Sequence, residues 1–149
     1  MWAGAGWESV VRELQKKRAS VLLVEDEPLI SEIATEALEE QGFEVAAVEN
    51  ADDALQRLTS GLPVDILFTD LNLPGGMDGG ALAQRARELR PDLPVIYTSG
   101  RRSHMDELSP VEGSMFVAKP YDPFSIGQLL DYLVAAGKVP PPIEGAYRR

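Results

Sequence analysis

The chain has 149 residues, of which 44% are hydrophobic and 26% charged, and its formal net charge is -10. This composition is typical of a globular domain, and no apolar run reaches the length of a membrane-spanning helix. The acidic balance disfavours binding to a nucleic-acid backbone, and the absence of cysteine excludes disulfides and thiolate metal sites. We therefore expect a cytoplasmic protein that binds neither membrane nor nucleic acid.

Short apolar runs alternate with helical periodicities five times between residues 20 and 136. The first run, 21–24, stops at acidic residues as a strand would (β1), and a 3.6-residue apolar period follows from Pro28 to a helix stop at Gly42 (α1). The other predicted strands are 43–48 (β2), 64–69 (β3), 94–99 (β4) and 115–119 (β5). The other predicted helices are 50–61 (α2), 82–89 (α3), a weak one within 101–109 (α4), and one that begins at 122–123 (α5).

This alternation predicts an α/β fold with a parallel sheet and helices on both of its faces. The architecture we expect is a flavodoxin-like, doubly wound (βα)5 fold with strand order 2-1-3-4-5. One domain occupies residues 20–136. Residues 1–19 form an N-terminal extension, either an amphipathic helix or a remnant of cloning, and residues 137–149 form a Pro-rich tail, extended or disordered.

Polar side chains follow or end several predicted strands. Ligands of open parallel sheets bind outside the carboxyl ends of the strands, and the expected strand order places β1 beside β3. Three carboxylates would then meet and repel one another, which a hard divalent cation such as Mg²⁺ or Mn²⁺ relieves. The polar residues that follow or end these strands are the carboxylates Glu25, Asp26 and Asp70, together with Thr98 and Lys119.

With Mg²⁺ bound, Asp70 can act as a nucleophile toward a phosphoryl group. The Lys119 ammonium and the Thr98 hydroxyl would stabilise the transferred oxygens by charge and hydrogen bond. His104, the only histidine, falls in the weak helical segment and is expected to be an exposed helix residue.

Four motifs, in order and at predicted strand ends, make residues 20–136 resemble the receiver domain of two-component response regulators: "LLVEDEP", "DILFTDLNLPGGMDG", "LPVIYTSG" and "FVAKPYDP". The resemblance implies that Asp70 is the phosphoacceptor, with Lys119 and Thr98 as its catalytic partners. It further implies Mg²⁺ ligation by Asp26, Asp70 and the main-chain carbonyl of Asn72.

The resemblance also implies switch residues and binding partners. Thr98 and the aromatic Phe116 match the switch residues, and the Lys119–Pro120 peptide is commonly cis in the family. A sensor histidine kinase or a histidine phosphotransfer protein would donate the phosphoryl group. A downstream protein would bind the face made by α4, β5 and α5, with homodimerisation as one possible outcome there. Such a domain is no classical enzyme, since it catalyses only its own phosphoryl transfer and slow dephosphorylation.

The sequence departs from the family pattern at Glu25, in the loop after Asp70, at Phe116, which lacks a tyrosine hydroxyl, and at Gly100, and alternatives stay open. Glu25 replaces the commoner aspartate, so that its longer side chain is expected to reach the metal through water. The loop "PGGMDG" carries an extra glycine. A pseudo-receiver that works without phosphorylation is the alternative function, and the chain is either a stand-alone receiver or the terminal receiver of a hybrid histidine kinase. A haloacid-type phosphatase and a flavin carrier are disfavoured, by Asn72 and by the acidic segment after β1 respectively.

Overall fold

A computed structural model of the protein describes Gly6, residues 19–136 and Tyr147–Arg148. Strands and helices alternate through the described domain as the sequence predicts. None of the described helices has the length and apolar character needed to cross a membrane. The strands are Ser20–Val24 (β1), Glu44–Val48 (β2), Ile66–Asp70 (β3), Val95–Ser99 (β4), Met115–Ala118 (β5) and Tyr147–Arg148 (β6). The helices are Pro28–Glu40 (α1), Ala51–Thr59 (α2), Gly79–Leu89 (α3), Arg102–Glu107 (α4) and Pro123–Ala136 (α5).

The sheet has the order β2-β1-β3-β4-β5-β6, and its first five strands are parallel. This confirms the predicted flavodoxin-like order 2-1-3-4-5. The register pairs Val24 of β1 with Thr69 of β3, and Asp70 of β3 with Thr98 of β4. The carboxyl ends of β1, β3 and β4 therefore lie side by side at one edge of the sheet.

Two buried layers hold the helices on the sheet. One layer packs α1 and α5 against alternate strand residues such as Leu23 and Phe68, and the other packs α2, α3 and α4 against residues such as Leu67 and Tyr97. All five residues of β3 are buried, which places it at the centre of the domain. The site at its carboxyl end is consequently built on a fully buried strand, as β4 beside it also is.

The helix starts follow capping chemistry that the sequence carries. Asn50 accepts a hydrogen bond from the Asp53 main-chain N–H at 2.8 Å, so it caps α2. Asp78 caps α3 in the same way through the Ala81 N–H, also at 2.8 Å. This cap starts α3 at Gly79, three residues before the apolar positions that marked the helix in the sequence.

Strand β3 starts at Ile66, two residues later than the apolar pattern suggests. Just before it, the Asp65 main-chain N–H donates to the Ser20 carbonyl at 2.8 Å, and the Ser20 N–H donates to the Asp65 side chain, also at 2.8 Å. Regular pairing begins with the next residue. Of the tail predicted to be extended or disordered, Tyr147–Arg148 pair antiparallel with β5, while residues 137–146 lie outside the described part of the chain.

Candidate functional site

Asp70 is the last residue of β3 and is only 5% exposed. Its Oδ1 accepts a hydrogen bond from the Asn72 main-chain N–H at 3.0 Å, and its Oδ2 accepts one from Lys119 Nζ at 2.7 Å. The turn that follows the strand thus orients the carboxylate from one side, and the lysine holds it from the other. A buried carboxylate fixed by two donors is oriented before any ligand arrives.

Lys119 follows β5 and bridges two carboxylates. Its Nζ lies 2.6 Å from Glu25 Oε1 and 2.7 Å from Asp70 Oδ2. Burial lowers the pKa of Lys119, but the contacts with Asp70 and Glu25 outweigh it, so the pKa is raised and the amine stays charged. The Lys119–Pro120 peptide bond is cis, as the resemblance implied.

Glu25 is 1% exposed, which is unusual for a glutamate. Burial raises the pKa of its carboxyl group above the ordinary value, although the contacts with Lys119 and with the Glu27 main-chain N–H act in the opposite direction. The Glu27 N–H donates to Glu25 Oε2 at 3.1 Å. Oε2 of Glu25 therefore accepts a main-chain hydrogen bond, whereas Oε1 is buried against the Lys119 ammonium in an ion pair that lacks hydrogen-bond geometry.

The three predicted acidic residues do come together. Glu25, Asp26 and Asp70 each offer a carboxylate oxygen within 4.8 Å of the others, and Asp26 is exposed while the other two are buried. Around Mg²⁺ with ligand distances of about 2.1 Å, neighbouring oxygens are about 3.0 Å apart and opposite ones about 4.2 Å. The limit of 4.8 Å is compatible with these spacings, and the cluster consists of hard oxygen donors, so its residues fit a magnesium ion.

Thr98 lies directly beside Asp70 in the sheet register. Thr98 is 1% exposed, and its Oγ1 has no hydrogen-bond partner among the described residues. A buried hydroxyl without a partner is costly, by about 1–3 kcal/mol, and is retained where a ligand satisfies it. Phe116, the predicted aromatic switch residue, is also buried. It belongs to the same core cluster as Tyr97 and Met105, on the face of the sheet opposite to Leu23.

Sequence reasoning missed two features beside Asp70. Gly79 lies against the end of β3, where an added Cβ would collide with the Asp70 main-chain carbonyl. The Gly79 N–H donates to the Leu71 carbonyl at 3.0 Å, and this hydrogen bond holds the start of α3 close to the end of β3. Tyr121 is the second: its ring contacts that of Phe68 in a tilted arrangement, with a centroid distance of 5.3 Å and an interplanar angle of 57°, and its hydroxyl oxygen is buried.

A signal for Gly79 was present in the sequence, since two adjacent glycines after a capping aspartate are poor helix formers and suggest a close approach. Tyr121 gave no such signal, because its role depends on packing between β3 and the segment after β5. Burial, followed by the charge of Glu25, raises the pKa of Tyr121 to about 12.

Comparison with known proteins adds an independent observation. Residues 21–131 match the family model of the response regulator receiver domain. The transcriptional regulatory protein AruR of Pseudomonas aeruginosa is 33% identical over 109 residues, which is 69% of this chain and 44% of AruR. The receiver protein CpdR of Brucella abortus is 38% identical over 80 residues, which is 54% of this chain and 65% of CpdR. The chain spans about half the length of the transcriptional regulators it matches.

Solved structures of receiver domains have the same fold. A receiver protein of Sinorhizobium medicae superposes with a TM-score of 0.73 at 27% identity and covers 80% of this chain and 97% of its own. The response regulator TrrA of Thermotoga maritima, in complex with Mg²⁺ and BeF, gives a TM-score of 0.68 at 27% identity, with 78% and 99% covered. The receiver domain of the hybrid histidine kinase CckA gives 0.65 at 27% identity, with 77% and 98% covered.

Proposed function

This chain belongs to the response regulator receiver domains of two-component signalling, and from that premise we propose that Asp70 accepts a phosphoryl group with the help of Mg²⁺. The observation that carries the proposal is the shared grip of Lys119 on the Asp70 and Glu25 carboxylates, at 2.7 and 2.6 Å. In this position the Lys119 ammonium would also neutralise negative charge on the oxygens of an incoming phosphoryl group.

The chemistry follows from the positions of the side chains. An oxygen of the Asp70 carboxylate attacks phosphorus, the bond between phosphorus and the donor breaks, and the donor leaves with its electron pair. Lys119 supplies positive charge to the transferred oxygens. The Thr98 hydroxyl, buried beside Asp70 and without a partner among the described residues, donates a hydrogen bond to one of them.

Mg²⁺, when bound, supplies charge neutralisation between the carboxylates and the phosphoryl oxygens. Asp26, Asp70 and the Asn72 carbonyl would hold it directly. Glu25 would reach it through water, because both of its oxygens already engage Lys119 and the Glu27 N–H.

An exposed apolar surface adjoins this site and suits a protein phosphodonor. Leu29, Ile33 and Phe124 are 69%, 53% and 53% exposed and form what we name the α1–α5 patch. Of the three residues, Ile33 lines a cavity of about 360 Å³ together with Pro123 and Lys119, and Phe124 directly follows Pro123 in the chain. Exposed apolar clusters of this kind mark interaction sites.

The α1–α5 patch suggests the chemistry of its partner. Glu32 and Glu36 are exposed on the same helix as Ile33, and α1 carries no basic residue in its last turn. We therefore propose that the donor, a histidine kinase or a histidine phosphotransfer protein, presents apolar helix surface bordered by basic residues. Output would follow from the α4, β5 and α5 face, where β6 already covers the outer edge of β5.

Uptake of a phosphoryl group from acetyl phosphate tests the proposed chemistry. Intact mass is read after incubation with Mg²⁺, with and without EDTA, for the natural protein and for Asp70→Asn. We expect one phosphoryl group per chain that requires Mg²⁺ and is lost in the variant. No gain with Mg²⁺ present, together with no response to beryllofluoride, would identify a pseudo-receiver and refute the proposal.

A second assay tests the donor surface. Ile33→Ser is expected to slow phosphoryl transfer from a phosphorylated histidine phosphotransfer protein at least fivefold, while uptake from acetyl phosphate is unchanged. Leu62→Ser is the matched control, since Leu62 is 43% exposed but lines a different cavity. Equal transfer rates for both variants would remove the α1–α5 patch from the proposal.

A further inference from the structure

His104 is not the exposed helix residue that the sequence suggests. It is half-buried, and its Nδ1 lies 2.8 Å from the hydroxyl oxygen of Ser99, a residue that is 2% exposed. The Ser99 hydroxyl also accepts a hydrogen bond from the Arg101 main-chain N–H at 3.1 Å. A side chain of α4 is thus bonded to the end of β4, one residue after Thr98.

The main chain around Ser99 is fixed to the phosphoacceptor site. The Lys119 N–H donates to the Ser99 carbonyl at 3.0 Å, and the Leu71 N–H donates to the Thr98 carbonyl at 2.9 Å. Lys119 contacts the Asp70 carboxylate, and Leu71 is the next residue after Asp70 in the chain. Ser99 therefore joins the site through its backbone and α4 through its side chain.

Helix α4 is short, and Met105 is its buried residue among those whose burial the structure describes. It has six residues, and no side-chain hydrogen bond caps its start. Met105 is 6% exposed and packs into the core, whereas Asp106 and Glu107 are exposed. So short a helix is not stable by itself, and its docking depends on a few contacts. The Ser99–His104 hydrogen bond is one of these contacts.

The Ser99–His104 bond does not depend on one protonation state of the imidazole. A neutral ring with a bare Nδ1 accepts from the Ser99 hydroxyl. A protonated ring donates to the Ser99 oxygen, and the serine proton turns to the Arg101 carbonyl at 3.3 Å. The contact therefore acts as an anchor in both states.

We propose that His104 is a positioning residue that fixes α4 to the end of β4 through Ser99, and that phosphoryl uptake at Asp70 reaches the α4 surface through this bond. The inference rests on the proposed function for the incoming signal, but the anchor itself exists without a phosphoryl group. It assigns to the one histidine of the chain a part in output, not in the chemistry.

The experiment compares two substitutions of His104. His104→Asn keeps a hydrogen-bond acceptor near the position of Nδ1, whereas His104→Leu keeps bulk and removes the acceptor. Glu107→Gln, an exposed position on the same helix, is the control. Amide hydrogen exchange of α4 is measured in the free protein, and amide chemical shifts are recorded on addition of Mg²⁺ and beryllofluoride.

In His104→Leu we expect exchange of the α4 amides to be about fivefold faster, the effect of losing one net hydrogen bond. We also expect the beryllofluoride-induced shifts of 104–108 to fall below half of their natural size, while those of the Asp70 and Asn72 amides persist. His104→Asn and Glu107→Gln should behave like the natural protein in both measurements.

Two results would overturn the inference: unchanged α4 exchange in His104→Leu, or a His104→Asn variant that behaves like His104→Leu, since packing and not the hydrogen bond would then be at work. Failure of the proposed function looks different. In that case the Asp70 amide of the natural protein does not respond to beryllofluoride, while the exchange measurement still decides whether the anchor exists.

Discussion

Replacing Lys119 with methionine tests how the site tolerates its buried charges. Glu25 and Asp70 are 1% and 5% exposed, and the Lys119 ammonium lies 2.6 and 2.7 Å from their oxygens. Without it, two neighbouring carboxylates lose their shared cation. Breaking a buried ion pair by removing one partner costs about 3–5 kcal/mol.

Protonation of Glu25 limits this cost. Protonating a carboxylate whose ordinary pKa is 4.5 requires about 2.5 × 1.36 = 3.4 kcal/mol at about pH 7. The same step at about pH 5 requires about 0.7 kcal/mol. Because the folded state then favours the protonated acid, the loss of stability is small at low pH and grows as the pH rises above 4.5.

We therefore expect Lys119→Met to lower the free energy of unfolding by about 3 kcal/mol at neutral pH and by about 1 kcal/mol or less near pH 5. Urea denaturation followed by circular dichroism, in EDTA, measures both values. Lys119→Arg, which keeps the charge, is the control. Adding Glu25→Gln to Lys119→Met should restore most of the loss at neutral pH. An equal loss at both pH values, or no rescue by Glu25→Gln, would show that charge burial is not the cause.

Three further predictions concern the surroundings of the carboxylates. Gly79→Ala should destabilise the protein by about 2 kcal/mol or more and slow phosphoryl uptake, because the new Cβ meets the Asp70 carbonyl, whereas Gly76→Ala has open space and should do neither; urea titration and intact mass decide this. The hydroxyl of Tyr121 should ionise near pH 12 in an ultraviolet titration, and since its pKa is raised from 10, the natural protein should lose up to about 3 kcal/mol of stability between pH 10 and 12 that Tyr121→Phe retains. Asp26→Asn should weaken Mg²⁺ binding at least tenfold by calorimetry without loss of thermal stability, since this carboxylate is exposed; an unchanged affinity would remove it from the metal site.

The positions of the site residues follow from the sequence because parallel strands end at a common edge. Asp70, Thr98 and Lys119 each end or follow a β-branched or aromatic run, so the fold alone brings them together. The alternation of elements predicts a parallel sheet, but it fits more than one doubly wound strand order and does not by itself select 2-1-3-4-5.

What the sequence could not predict depends on contacts between distant segments. The double grip of Lys119 on Glu25 and Asp70 joins β1, β3 and β5 at the level of single atoms. The bond between His104 and Ser99 was missed because a weak helical signal gave no direction for the histidine side chain. Pairing of Tyr147–Arg148 with β5 likewise reflects an open sheet edge and not a local pattern.

The most direct test of the central claim is to locate the phosphoryl group. After incubation with acetyl phosphate and Mg²⁺, borohydride reduces an acyl phosphate to an alcohol, and peptide mass spectrometry then identifies the reduced residue. The proposed function predicts reduction at Asp70 alone, absent when EDTA is added. A phosphoryl group that resists borohydride, or reduction at another carboxylate such as Asp26, would contradict it.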